Sequence, residues 1–264
     1  MLELVINKLL GQHFLINSAL AKKIVTQLEI GEGDVVIEVG PGPGALTDLL
    51  LRDCQDKKAK LIAVEKDRHL ALELFEKHKT DPVVEIIAGD ILTELGKLST
   101  KYPQFKLVGN LPYYLSGRIL RILSELENKP SVAVFTFQKE VAERICAAKG
   151  KSSLLSSATQ FWADAQILFY IPNTDFDPPP KVESAAVLLT TKTPQPEGSE
   201  SFYNLISAAF KQPRKTLLNN LSSAFPQLEK ETILAALKQI KMDEKTRAQE
   251  LSVEDLANLA TLFH

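Results

Sequence analysis

The chain has 264 residues, 45% of them hydrophobic, with 31 basic and 33 acidic side chains and a formal charge of -2. That length suits one large domain with one small one, and the balanced charge excludes a globally basic nucleic-acid binder while leaving room for a local patch. Two cysteines, Cys54 and Cys146, are too few for a disulfide scaffold and favour a reducing, cytoplasmic setting. The histidines His13, His69, His78 and His264 make no metal-ligand pattern, so no metal is expected, and no apolar run is long enough to span a membrane. Met1 to Leu10 is too short and too mixed for a signal peptide.

Asn17 or Ser18 caps a predicted helix over 18–28 whose apolar face is Leu20, Ile24, Val25 and Leu28. Strands follow at 34–39, 60–65, 83–88, 105–109 and 131–137. Helical stretches begin at Leu46 and cover 68–79, 117–127 and 140–148. Alternation at this spacing predicts a parallel sheet covered by helices. Two further strands, 165–171 and 182–189, are joined through Pro172, Asn173, Pro178, Pro179 and Pro180, which exclude a helix, so this last pair is expected to be antiparallel. The polar segment 191–199, with Pro194, Pro196 and Gly198, reads as a linker between a domain over 1–190 and a helical domain over 200–264. In the latter, helices are expected at 202–210, 215–221, 229–240 and 252–262, with Ser252 and Asp255 as a capping box.

Gly40, Gly42 and Gly44, with Pro41 and Pro43, lie between a strand and a helix. Glycines there let the backbone approach a ligand, and the helix start offers free N–H groups; the bland reading is a structural turn. Glu65 ends the second strand, where a carboxylate can accept ribose hydroxyls, or simply face solvent. Asp90 ends the third strand and can accept from an adenine amine, or cap a helix. These strand ends converge on one crevice of an open α/β sheet, the expected place for a ligand.

Asn110-Leu111-Pro112-Tyr113 follows the fourth strand. The Asn110 side-chain carbonyl and the Leu111 backbone carbonyl can each accept a hydrogen of a planar amine, Pro112 stiffens the backbone, and Tyr113 can stack on a base. The plain alternative is a tight loop with a core tyrosine. Phe176 can face the base from the other side, or plug the core. A nucleoside-containing cofactor beside a gripped nucleobase suggests base methylation. Lys211, Arg214 and Lys215 make a local basic cluster that can hold phosphates; Lys22, Lys23, Lys139, Arg144, Lys149 and Lys151 can extend it. A nucleotide-dependent oxidoreductase is the rival reading of the crevice.

Taken in order, the blocks Gly11-Gln12-His13-Phe14-Leu15, the glycine-rich turn, Glu65, Gly89-Asp90, Asn110 to Tyr113, Gln138 to Ala142, Phe176 to Ser184, Phe210, Arg214 to Leu217 and Asn219 to Leu221 resemble the small-subunit ribosomal RNA adenine dimethyltransferase family along nearly the whole chain. The resemblance implies a Rossmann-like class I methyltransferase sheet with a helical C-terminal domain. It also implies S-adenosylmethionine as cofactor and, as substrate, two adjacent adenosines near the 3′ end of 16S ribosomal RNA in an immature small subunit. It places His13, Leu15, Gly40, Gly42, Glu65, Asp90 and Asn110 at the cofactor, Asn110, Leu111, Pro112 and Tyr113 at the reacting amine, and Tyr113 and Phe176 against the base. Lys211, Arg214 and Lys215 would meet RNA, and the chain would act as a monomer. Relatives that methylate large-subunit RNA, or that act as assembly or transcription factors without catalysis, share the pattern. Two positions depart from it: Ser152-Ser153 stand where a Tyr-Gly pair is usual, and Tyr114 where many members have Asn.

Overall fold

The computed structural model describes residues 12–263; Gly11, the first residue of the N-terminal block, lies outside them. The strands are β1 (Phe14–Leu15), β2 (Val35–Val39), β3 (Lys60–Glu65), β4 (Val84–Ala88), β5 (Lys106–Asn110), β6 (Val132–Gln138), β7 (Ala163–Ile171), β8 (Phe176–Asp177) and β9 (Ser184–Thr191). The helices are α1 (Ser18–Thr26), α2 (Thr47–Lys57), α3 (Arg68–His78), α4 (Ile91–Lys101), α5 (Ser116–Glu125), α6 (Lys139–Ile145), α7 (Leu154–Trp162), α8 (Ser199–Ala209), α9 (Leu217–Ala224), α10 (Lys230–Gln239) and α11 (Val253–Ala260).

Seven strands form one sheet in the order β4-β3-β2-β5-β6-β9-β7. The first five are parallel neighbours. β9 runs antiparallel to β6, and β7 lies outside it, giving a mostly parallel Rossmann-like sheet that ends in an antiparallel pair. Runs such as Leu61 to Val64 are buried throughout, as expected of central parallel strands. From β2 the chain moves outward to β3 and β4, then returns to β5 on the other side. The switch point therefore lies between the C-terminal ends of β2 and β5, where such sheets bind ligands.

The chain divides into two compact units. The first ends at Ala142 and resumes over Ala165–Thr191. One side of its sheet packs Val36, Leu61, Val108 and Val134 against Ile24 and Val25 of α1 and Leu50 of α2. The second takes Glu143–Asp164 together with the chain from Lys192 onward. The 1–190 boundary is corrected accordingly: the Phe161 ring of α7 stacks on Phe202 of α8 at 3.9 Å, in a core shared with Leu205, Leu217, Leu237 and Leu256. Ser252 and Asp255 form the expected reciprocal capping box. Both cysteines are free. Among the described residues no helix is long and apolar enough to cross a membrane, and no three His, Cys, Asp or Glu side chains group to hold a metal.

Gly109 shows how tightly the switch point is built. A Cβ there would lie 2.6 Å from the Val39 carbonyl oxygen and 3.0 Å from Val39 Cβ, so Gly109→Ala must push β5 away from β2. An overpacking loss of roughly 1–3 kcal/mol is expected, read as a lowered urea midpoint; an unchanged midpoint would contradict the close approach.

Candidate active site

A cleft opens at the switch point, lined among others by His13, Leu15, Gly40, Gly42, Glu65, Asp90 and Asn110. The expected cofactor residues therefore do share one cavity.

After β2 the chain turns through Gly40 (φ 62°) and Gly42 (φ 59°), left-handed values that favour glycine. Gly40 N–H donates to Val64 O at 3.0 Å. Gly42 lies under the Phe14 ring, where an added Cβ would come within 2.8 Å. Glu65 Oε2 accepts from Gly42 N–H at 2.9 Å, and Oε1 from Asp67 N–H at 2.8 Å. These bonds fix the carboxylate and leave a lone pair on each oxygen. Burial nonetheless pushes its pKa up.

Asp90 is both a helix cap and a cleft residue. Oδ1 accepts from Leu92 N–H at 3.0 Å at the start of α4, while Lys66 Nζ sits 2.9 Å from Oδ2. Burial pushes the carboxyl up, but the Lys66 and Leu92 bonds outweigh it and hold the pKa below the ordinary value.

Asn110 ends β5 beside Thr136 of β6. Its Nδ2 donates to the His13 carbonyl at 2.8 Å, and its Oδ1 accepts from the Thr136 hydroxyl at 2.5 Å. A carbonyl can only accept, so the amide nitrogen must face His13 and the amide oxygen is held in one orientation, with a lone pair to spare. Pro112 (φ -56°, ψ 135°) then starts the short turn Tyr113–Leu115. Pro112 lines the cleft, whereas the Leu111 side chain is buried. The half-buried Tyr113 ring lies 5.5 Å from the His13 ring, and its hydroxyl meets Ser184 Oγ at 2.9 Å. Burial raises the Tyr113 pKa.

A two-stranded ribbon closes the N-terminal side: Phe14 pairs with Asp177 and Leu15 with Phe176. His13 Nδ1 lies 2.6 Å from the Pro178 carbonyl, so this nitrogen carries the proton. The ribbon places Phe176 differently from the expected base-stacking position. Its ring is 3% exposed, packs in the core cluster with Leu15, and is not among the cleft-lining residues. In this conformation it is the hydrophobic plug.

Glu38, which precedes the glycine-rich turn and was given no role from sequence, is a further cleft residue. It is 1% exposed and neither carboxylate oxygen completes a hydrogen bond among the described residues. Burial drives its pKa to about 8; the adjacent Thr47 hydroxyl only partly opposes this, and Glu65 adds repulsion. Its acidic type beside a glycine turn was the available signal. Thr136 and Lys66 were also missed. The first needs the β5–β6 register, the second the spatial approach of two strand ends.

In the second unit, Lys211, Arg214 and Lys215 are exposed in the turn between α8 and α9. Asn220 Nδ2 pins that turn by donating to Ala209 O at 2.9 Å and Gln212 O at 3.0 Å. Of the wider basic set, Lys139 pairs with Glu183 at 2.7 Å and Lys149 with Asp255 at 2.8 Å.

Comparison with known proteins decides the family. The description "Ribosomal RNA adenine dimethylase" matches residues 4–264. The chain belongs to the ribosomal RNA adenine dimethylase family. It is 36% identical over 258 residues to the ribosomal RNA small subunit methyltransferase A of Dehalococcoides mccartyi, covering 96% of this chain and 87% of that protein. With the protein of the same name from Alkaliphilus oremlandii it shares 38% identity over 269 residues, covering 98% and 92%. A dimethyladenosine transferase from Plasmodium falciparum superposes with a TM-score of 0.76 at 27% identity, over 94% of this chain and 96% of that one. The 23S rRNA methyltransferase ErmE shares the fold, with a TM-score of 0.75 at 23% identity over 94% and 98%.

Proposed function

We propose that this family member transfers methyl groups from S-adenosylmethionine to the N6 amines of two adjacent adenosines near the 3′ end of 16S ribosomal RNA, within an immature small subunit. The observation that carries this reading is the fixed Asn110 amide at the switch point, in the same cleft as Glu65 and Asp90. Glu65 accepts the ribose hydroxyls, Asp90 the cofactor adenine amine, and the side-chain-free backbone at Gly40 and Gly42 meets the methionine end, bordered by His13 and Leu15. When bound, the cofactor supplies an electrophilic methyl on a sulfonium.

The target adenine amine is a poor nucleophile because its lone pair is delocalised into the ring. The Asn110 side-chain carbonyl and the Leu111 carbonyl accept its two hydrogens, favouring a pyramidal nitrogen with its lone pair aimed at the methyl. These carbonyl dipoles would stabilise the positive charge that develops on the nitrogen as it is methylated, until its proton passes to solvent. Tyr113 stacks on the base, and Phe176 joins it only if the β1–β8 ribbon shifts. Lys211, Arg214 and Lys215 hold RNA phosphates without reading sequence. The chain works in the cytoplasm, as a monomer.

Titration calorimetry tests the cleft. S-adenosylhomocysteine is expected to bind and NAD not to; selective NAD binding would overturn the reading in favour of an oxidoreductase. Methyl-labelled cofactor incubated with immature small subunits should label the RNA. Tight binding to subunits with no label would favour a non-catalytic assembly factor.

A further inference from the structure

Lys66 follows Glu65 directly and reaches across the cleft wall to Asp90. The two oxygens of Asp90 are held in different ways. Oδ1 is committed to the backbone of α4, which cannot withdraw without uncapping the helix. Among the described residues the one partner bonded to Oδ2 is the Lys66 ammonium, on a flexible side chain that is 53% exposed and able to swing into solvent, while Arg118 adds only a longer-range attraction. Each oxygen keeps one further lone pair, so an adenine amine that bonds Oδ2 would share that oxygen with the Lys66 ammonium.

We propose that Lys66 is a positioning residue that competes with the cofactor's adenine for Asp90. Resting on the assignment of Asp90 to adenine made above, it aligns the carboxylate in the free enzyme, draws charge from the oxygen the amine would share, and lowers the affinity for both cofactor and spent product. The competition is electrostatic between partly exposed groups, so it is modest and weakens as salt screens the pair.

Calorimetry with S-adenosylhomocysteine, whose net charge is near zero, isolates this effect. Lys66→Met is expected to tighten binding about two- to fivefold at low salt, the range set by an exposed ion pair. Wild-type affinity should rise towards that of the variant as salt approaches about 1 M, where screening acts within about 3 Å. In an Asp90→Ala background the Lys66 substitution should have no effect, whereas a merely structural Lys66 would act equally in both backgrounds. Equal or weaker binding by Lys66→Met, or a salt dependence the same as wild type, overturns the proposal. If Asp90→Ala alone leaves binding unchanged, the adenine assignment itself fails, and the competition with it.

Discussion

Asn110→Ala is expected to lower kcat for methyl transfer by about 10²–10³-fold, the range seen when one preorganised dipole is removed from a reacting centre, while cofactor binding stays measurable. The substitution removes the Oδ1 acceptor, yet Glu65 keeps its own anchors at Gly42 and Asp67. It also frees the His13 carbonyl and the Thr136 hydroxyl, so a second variant separates orientation from chemistry. Thr136→Val leaves the amide present but releases its oxygen, and should lose activity by a smaller factor with binding intact. Single-turnover kinetics on assembled substrate, beside calorimetry for the cofactor, check both. Wild-type turnover by Asn110→Ala would remove Asn110 from the centre.

The second large effect concerns Glu38 and pH. Its carboxyl has an ordinary value of 4.5 and a folded value of about 8. Below pH 4.5 both folded and unfolded chains hold the proton, and the group contributes no pH dependence. Between the two values the unfolded chain releases its proton while the folded chain keeps it. Unfolding is then favoured as pH rises, and the loss levels off above the folded value. With about 1.4 kcal/mol per pKa unit, this amounts to roughly 5 kcal/mol across that window. Glu38→Gln cannot ionise, so urea unfolding at pH 5 and pH 8 should show this component of the slope in the wild type and its absence in the variant. Identical slopes would mean that Glu38 is ionised in the folded protein.

Much of this site is legible in one dimension because strand ends are. The run over 60–65 coincides with β3, and Glu65, Asp90 and Asn110 each close an apolar stretch, so the crevice is legible in the sequence. Two helices escaped. α4 carries Gly96 and a Ser-Thr pair, poor helix formers whose packing decides the outcome. α7 begins with a capping box closed by Ser156 instead of the usual Glu or Gln. β1 and β8 are two residues each and pair across more than 150 positions of sequence, so no local pattern announces them. That ribbon is also why Phe176 lies in the core: its partner Leu15 fixes which side of the ribbon the ring takes. Lys66 was invisible for a different reason. Only the sheet order brings the end of β3 beside the end of β4 and sets the Lys66 ammonium on the Asp90 carboxylate.

Base-resolved mass spectrometry of 16S ribosomal RNA tests the central claim most directly. Immature small subunits from cells lacking this activity would be incubated with the purified protein and S-adenosylmethionine. The expected product is N6,N6-dimethyladenosine at two adjacent adenosines near the 3′ end, absent when Asn110→Ala replaces the wild type. Methylation at other bases, or none with an enzyme that binds cofactor and subunit, would contradict the account.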